Sequence, residues 1–216
     1  MSSRPADQRD YWDRVAPAKV FGHPLHRPWL EELVPPGARW LDFGCGYGRL
    51  CGELHRLGWE SVVGLDPAPG MIARARSEHP GLEFHADDEL ASDAELGQFD
   101  AALCFTVWTS SPADPELARI MQRLRDFLRP GGLLYVSDLL LQRDERNRER
   151  YEASRLRPWG SFELEEGVRV RHFALQDALQ LLEGFDVLRF RQVDVRSMNR
   201  NPSRAFQAVA RLRESD

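Results

Sequence analysis

The stretch WLDFGCGYGRL, residues 40–50, limits the fold of this chain more than any other segment. An apolar run leads into three glycines at alternate positions, Gly44, Gly46 and Gly48, and an Arg/Leu-rich helical stretch follows. Strand, glycine turn and helix in that order form a cradle for a nucleotide. The acid Asp42 stands two residues before the first glycine.

The rest of the chain alternates in the same way. Residues 39–43, 61–66, 82–85, 99–105 and 133–138 read as short buried strands, and 48–58, 70–79 and 115–128 as helices between them, the last stopped by Pro130-Gly131-Gly132. This order predicts a parallel sheet with right-handed crossovers and helices on both faces. Residues 8–34 form a cap, helical in pieces because Pro17, Pro24 and Pro28 break it. After residue 138 the pattern changes. Residues 142–157 are dense in Arg and Glu and predict an exposed helix or lid, and 161–173 predict a hairpin turning at Glu166-Gly167. A helix over 174–184 precedes two strands, 185–195 and 205–212, whose short connection makes them antiparallel. No repeat or low-complexity linker divides the chain, so residues 1–216 are expected to form one domain, with 139–173 as a substrate insertion.

Which nucleotide the turn takes follows from spacing and charge. A P-loop needs Lys and Ser/Thr after its last glycine, where this chain has Arg49 and Leu50. A dinucleotide fingerprint puts its third glycine at position 49, and here it comes at 48. Asp42 would also oppose a pyrophosphate. A carboxylate there suits S-adenosylmethionine (SAM), which carries a sulfonium and an ammonium and no phosphate. Asp66 ends the second strand, where a carboxylate can accept both ribose hydroxyls. Asp87 and Asp88 follow the third strand, where an adenine amino group could donate.

In the order LDFGCGYGRL, VVGLDPAPGMI, FHADD, FDAALCFTVW and LRPGGLLYVSD, the chain resembles the class I SAM-dependent methyltransferase family. The resemblance implies a Rossmann-like α/β sandwich. Its seven-stranded sheet would be mostly parallel with an antiparallel C-terminal hairpin, and it would carry an N-terminal cap and an insertion after strand 5. It further implies that Gly44, Cys45, Gly46 and Gly48 frame the methionine and ribose portions and that Asp66 holds the ribose. Pro67 and Met71 would flank adenine, and Asp87 or the backbone of Asp88 would meet its amino group. Phe105, Thr106 and Val107 would line the methionine side, and Tyr11 and Trp12 would close over the cofactor. Some of these have a plainer reading beside them: Met71 as helix packing, Asp88 with Glu89 as a capped or solvated turn, Cys45 as a small residue in a tight turn.

Methyl transfer is an in-line displacement that needs alignment and exclusion of water more than a dedicated catalytic group. The post-strand sequence FTVWTSSP lacks an NPPY-type motif and is closer to enzymes acting on small molecules. The expected reaction is therefore methylation of an oxygen, nitrogen or sulfur nucleophile of a small molecule, as in specialised metabolism, with S-adenosylhomocysteine (SAH) as product. Trp108, Tyr151, Trp159 and Arg171 are the candidate acceptor residues, with Phe21, His23 and Phe162 also available to pack on it. His172 is the candidate general base, or else a hydrogen-bonding residue at a strand-to-helix joint. The Arg-rich stretch 143–151 is either a solvated face or, through Arg150 or Arg171, a carboxylate site. His23 and His26 lack further ligands, so no metal is expected. A formal charge of −5 and a pI near 5.7 argue against a nucleic-acid binder. Three cysteines without a CxxC pair suit a reducing cytoplasm, and no apolar run suits a signal or a membrane span. A macromolecular acceptor and a non-catalytic SAM-binding protein are the competing expectations.

Overall fold

The computed structural model describes residues 8–111 and 113–214. It contains strands β1 (Trp40–Phe43), β2 (Val62–Asp66), β3 (Glu83–Ala86), β4 (Phe99–Phe105), β5 (Leu128–Leu139), β6 (Ser161–Glu163), β7 (Arg169–Arg171), β8 (Phe185–Arg196) and β9 (Pro202–Leu212). The helices are α1 (Gln8–Val15), α2 (Arg27–Leu33), α3 (Arg49–Arg56), α4 (Pro69–Glu78), α5 (Val107–Ser110), α6 (Asp114–Phe127), α7 (Glu145–Ala153) and α8 (Leu175–Leu181). Seven strands form one sheet in the order β3-β2-β1-β4-β5-β9-β8. The first five are mutually parallel, and β9 runs antiparallel to both β5 and β8. β6 and β7 make a separate antiparallel hairpin. This is the α/β architecture expected from the sequence.

Both faces of the sheet are covered, which is why its strands read as continuous apolar runs. Along β4, Ala102 and Cys104 pack with α6 and α8, while Ala101, Leu103 and Phe105 pack with α2, α3 and α4. β1 divides likewise: Leu41 and Phe43 face the α6 side, and Trp40 faces the α3 side. Chain order reverses between β1 and β4, and that switch point opens a crevice at the carboxyl ends of the strands.

Several boundaries differ from the expected ones for local reasons. β5 begins at Leu128, ahead of Pro130-Gly131-Gly132, because Leu128 already pairs with Phe99; the register shift between Phe99 and Ala101 absorbs the turn. β9 begins at Pro202 because its first residues pair with the end of β8. The segment after β4 forms the single turn α5, entered through Thr106 at φ 58°. A β-branched residue rarely adopts that backbone, and such strain is found where surrounding contacts fix it. Here the Thr106 N–H donates to the Ser137 carbonyl at 2.8 Å, and buried Asp138 accepts from the Thr109 N–H (3.1 and 3.2 Å) and hydroxyl.

Gly64, in the middle of β2, leaves room for its neighbour β3. A Cβ at that position would lie 2.5 Å from the buried ring of Phe84 and 2.9 Å from Cys45 Sγ. Gly64→Ala is therefore expected to overpack this face and to cost about 1–3 kcal/mol of stability in urea denaturation. An unchanged midpoint would contradict that packing.

Candidate active site

A cavity of about 320 Å³ opens at the carboxyl ends of β1, β2, β4 and β5. Asp42, Gly44, Cys45 and Gly46 line its floor from β1 and the following loop, and Asp66, Pro67 and Met71 from β2 and α4. Phe105, Thr106 and Val107 form the wall beyond β4, and Trp12 and Phe21 cover the floor from the N-terminal cap. Sequence order thus becomes spatial order because parallel strands present all their carboxyl ends on one side of the sheet.

The amides of the glycine loop are already committed. Gly44 N–H and Cys45 N–H both donate to the Leu65 carbonyl (2.7 and 3.0 Å), Gly46 N–H to Asp66 Oδ2 (2.9 Å), and Gly48 N–H to the Cys45 carbonyl (3.0 Å). None of these four donors is left for a phosphate. Only glycine relieves the backbone here: Gly44 and Gly46 have φ of 74° and 54°, and a Cβ on Gly44 would lie 2.4 Å from Val107 Cγ2.

Two buried carboxylates lie beside that loop. Asp42 accepts from Cys51 Sγ at 3.3 Å, and burial pushes its pKa up to about 7. Asp66 Oδ1 accepts from the Ala68 N–H (2.9 Å) and Oδ2 from Gly46. Burial still raises its pKa to about 6 against those two hydrogen bonds. Each Asp66 oxygen keeps a lone pair for a hydroxyl donor. Arg49, in the first turn of α3, donates from one terminal nitrogen to the His23 carbonyl at 2.6 Å. Its Nε is buried with no partner among the described residues, as is Nε2 of His23. Burial, then the charge of Arg49, lowers the His23 pKa to about 4, so its ring is neutral. Buried carboxylates, four committed loop amides and an orphaned guanidinium donor together fit a ligand with a cationic end, hydroxyls and a carboxylate. They do not fit a pyrophosphate.

Other candidates lie away from the cavity. Gly48 packs behind the loop against Phe84. Asp87 is held by Arg123 at 3.0 and 3.2 Å, and Asp88 pairs with Arg9, so neither carboxylate is placed on the wall to meet an adenine amino group. Tyr11 is buried edge-on to Trp12 and leaves the wall to it. Trp108 is sealed in the core against Phe173 and Phe206. Arg171 is buried and paired with Asp114 (2.6 Å) and Asp177 (3.4 Å), so its charge is spent within the fold. Trp159 is 51% exposed and leans on Tyr151 outside the cavity. Tyr151 stands behind His172, and His172 itself reaches the wall. Burial, then the charge of Arg150, lowers the His172 pKa to about 3, which leaves it neutral and a weak base.

Sequence reasoning missed other wall residues: Arg49, Thr109, Asn147 and the β8–β9 loop, which contributes Arg196 to Asn199, Asn201 and Ser203. Arg49 had a signal in its place directly after the last glycine. The loop had none, because its composition is that of any turn. His23 and His26 are not joined by a third ligand; among the described residues no group of three or more His, Cys, Asp or Glu side chains is arranged for a metal. No helix among them is long and apolar enough to cross a membrane.

Residues 18–188 match the model of a family described as a methyltransferase domain. The chain belongs to that family. A ubiquinone biosynthesis O-methyltransferase of Xanthomonas axonopodis pv. citri is 35% identical over 139 residues, covering 60% of this chain and 56% of that protein. A ribosomal protein L11 methyltransferase of Ralstonia pickettii is 34% identical over 135 residues, covering 60% and 43%. The chain thus spans about half the length of the curated relatives it matches. The fold is shared with a SAM-dependent methyltransferase of Methanosarcina mazei, at a TM-score of 0.78 and 24% identity over 87% of this chain and 98% of that one.

The raised pKa of Asp42 gives the cavity a pH signature. A cationic ligand favours the ionised carboxylate, so binding releases a proton wherever Asp42 is protonated in the free protein. Affinity for SAM is expected to rise between pH 6 and 8 and then level off. Asp42→Asn should flatten that rise in calorimetric titrations. A wild-type affinity constant across this range would contradict the assignment.

Proposed function

We propose that this methyltransferase transfers the methyl group of SAM to an oxygen, nitrogen or sulfur nucleophile of a small molecule. The supporting observation is the cover over the cavity. Trp12 and Phe21 from the cap, Arg146, Asn147 and Arg150 from α7, Phe162, Leu164, Val170 and His172 from the β6–β7 region, and the β8–β9 loop all reach the same wall. A covered cavity of this kind suits a small acceptor lying over the cofactor better than a folded macromolecule. Of the two relatives, the one named for ubiquinone biosynthesis offers the closer parallel in kind. In this reading residues 1–216 act as one domain, with 8–34 and 139–173 as its cover.

The chain's own residues divide the work. Asp66 accepts the ribose hydroxyls, and Asp42 favours the positive end of the cofactor. Arg49 Nε, beside neutral His23, meets the methionine carboxylate. Pro67 and Met71 flank adenine, and Phe105, Thr106 and Val107 hold the methionine side. When bound, SAM supplies a methyl group on a sulfonium, already a good leaving group. The protein then needs only to hold the nucleophile in line and keep water out, for which Trp12, Phe21 and the roof are placed.

Incubation with SAM and a panel of phenols, thiols and amines, set beside a peptide mixture and total RNA, tests this reading through SAH formation. Turnover is expected with at least one small molecule. Asp66→Ala should raise KM for SAM about tenfold or more, as the loss of charged hydrogen bonds implies. Turnover with peptide or RNA alone would overturn it.

A further inference from the structure

The roof carries a charge pattern that the cofactor does not use, and its reading rests on the small-molecule acceptor proposed above. Arg146 and Arg150, one helical turn apart on α7, both reach the cavity wall. Arg146 lies 3.7 Å from Asp144, an exposed pair. Arg150 is half-buried, its guanidinium 5.6 Å from the centre of the Phe162 ring, and no carboxylate pairs with it among the described residues. Away from the floor, Glu116 of α6 is the acid on this wall among the described residues. Between Arg146 and Arg150 sits buried Asn147, whose Nδ2 donates to Asp144 Oδ2 at 2.7 Å.

Beside them the protonation state of His172 is fixed by its neighbours. The Tyr151 oxygen accepts from the Gln142 N–H at 3.0 Å and lies 2.6 Å from His172 Nδ1. The phenol's own proton has one acceptor among the described residues, and that is Nδ1. A neutral imidazole that accepts at Nδ1 carries its proton on Nε2. Nε2–H has no acceptor among the described residues, and His172 is on the cavity wall. His172 is therefore built as a donor, which corrects the expectation of a general base.

We propose that the acceptor carries a carboxylate, held by the Arg150 guanidinium and the Nε2–H of His172, with Tyr151 as the positioning residue that fixes the histidine tautomer. A planar guanidinium and one neutral N–H match the two oxygens of a carboxylate. The aromatic ring of Phe162 beneath Arg150 holds the guanidinium in place without neutralising it.

Two measurements on the full chain saturated with SAH test this. In nitrogen NMR, His172 is expected to show a protonated Nε2 and a bare Nδ1, and Tyr151→Phe should mix the two tautomers while SAH affinity is kept. A wild-type Nδ1–H tautomer would overturn the proposal. In calorimetry, benzoate, 3,4-dihydroxybenzoate and hexanoate are compared with their methyl esters. At least one acid is expected to bind about tenfold or more tightly than its ester, and Arg150→Gln should erase that preference without changing SAH affinity. Equal binding of acids and esters, binding of neither, or a preference that survives Arg150→Gln would overturn it. Turnover of neutral small molecules alone in the acceptor panel would overturn the carboxylate and leave the small-molecule reading standing. Turnover of peptide or RNA alone would overturn both.

Discussion

The tie between the β1–α3 loop and the end of β2 sets the character of the whole site. The Leu65 carbonyl takes two loop amides, and the Asp66 carboxylate bridges Gly46 and Ala68. These bonds satisfy the loop within the fold, so it faces the cavity as an open surface with little hydrogen-bonding capacity of its own. In the proposed reading, recognition passes to side chains at strand ends: buried acids on the floor and an arginine in the first turn of α3. That division of labour separates this loop from phosphate-binding loops of similar composition, whose amides point at the ligand. The tie works only because β1 and β2 are adjacent and parallel, with Asp42 opposite Gly64 and Phe43 opposite Leu65.

The cavity floor was legible in the sequence because it is local. A strand end, a glycine turn and an acid at the next strand end keep fixed relations in any parallel sheet, and Asp42, Gly44, Gly46, Asp66 and Met71 all reach the cavity. Asp87 shows where locality stops. It follows the third strand as expected, yet Arg123, 36 residues away on α6, occupies it. No spacing rule carries that pairing. Trp108 and Arg171 were misread for the same reason: an aromatic after a strand and an arginine in a hairpin look alike whether they face a cavity or the core. For Trp108 the single-turn α5 decides, held from below by Asp138, a buried acid whose role depends on which side chain the turn delivers to it.

The roof was legible only as a region. Composition marked 142–157 as polar, and alternation marked the 161–173 hairpin, and both are present as α7 and β6–β7. Which of their charges are spent and which are spare is a tertiary matter. Arg171 of β7 pairs with Asp114 and Asp177, whereas Arg150 of α7 meets the Phe162 ring and no carboxylate among the described residues. His172 and Tyr151 were read as separate residues with separate roles. In the fold they are one unit, since the tyrosine decides which ring nitrogen faces the cavity.

In the proposed reading Gly44, Cys45, Gly46 and Gly48 keep their N–H groups bonded within the fold, and Asp42, Asp66 and Arg49 hold the cofactor. A crystal structure of the full chain with SAH bound tests it most directly. The ribose hydroxyls are expected on the Asp66 carboxylate, the amino-acid carboxylate near Arg49 Nε, and the Gly44, Cys45 and Gly46 amides still bonded to Leu65 and Asp66. Loop amides turned onto the ligand, with Arg49 and Asp66 away from it, would contradict the account.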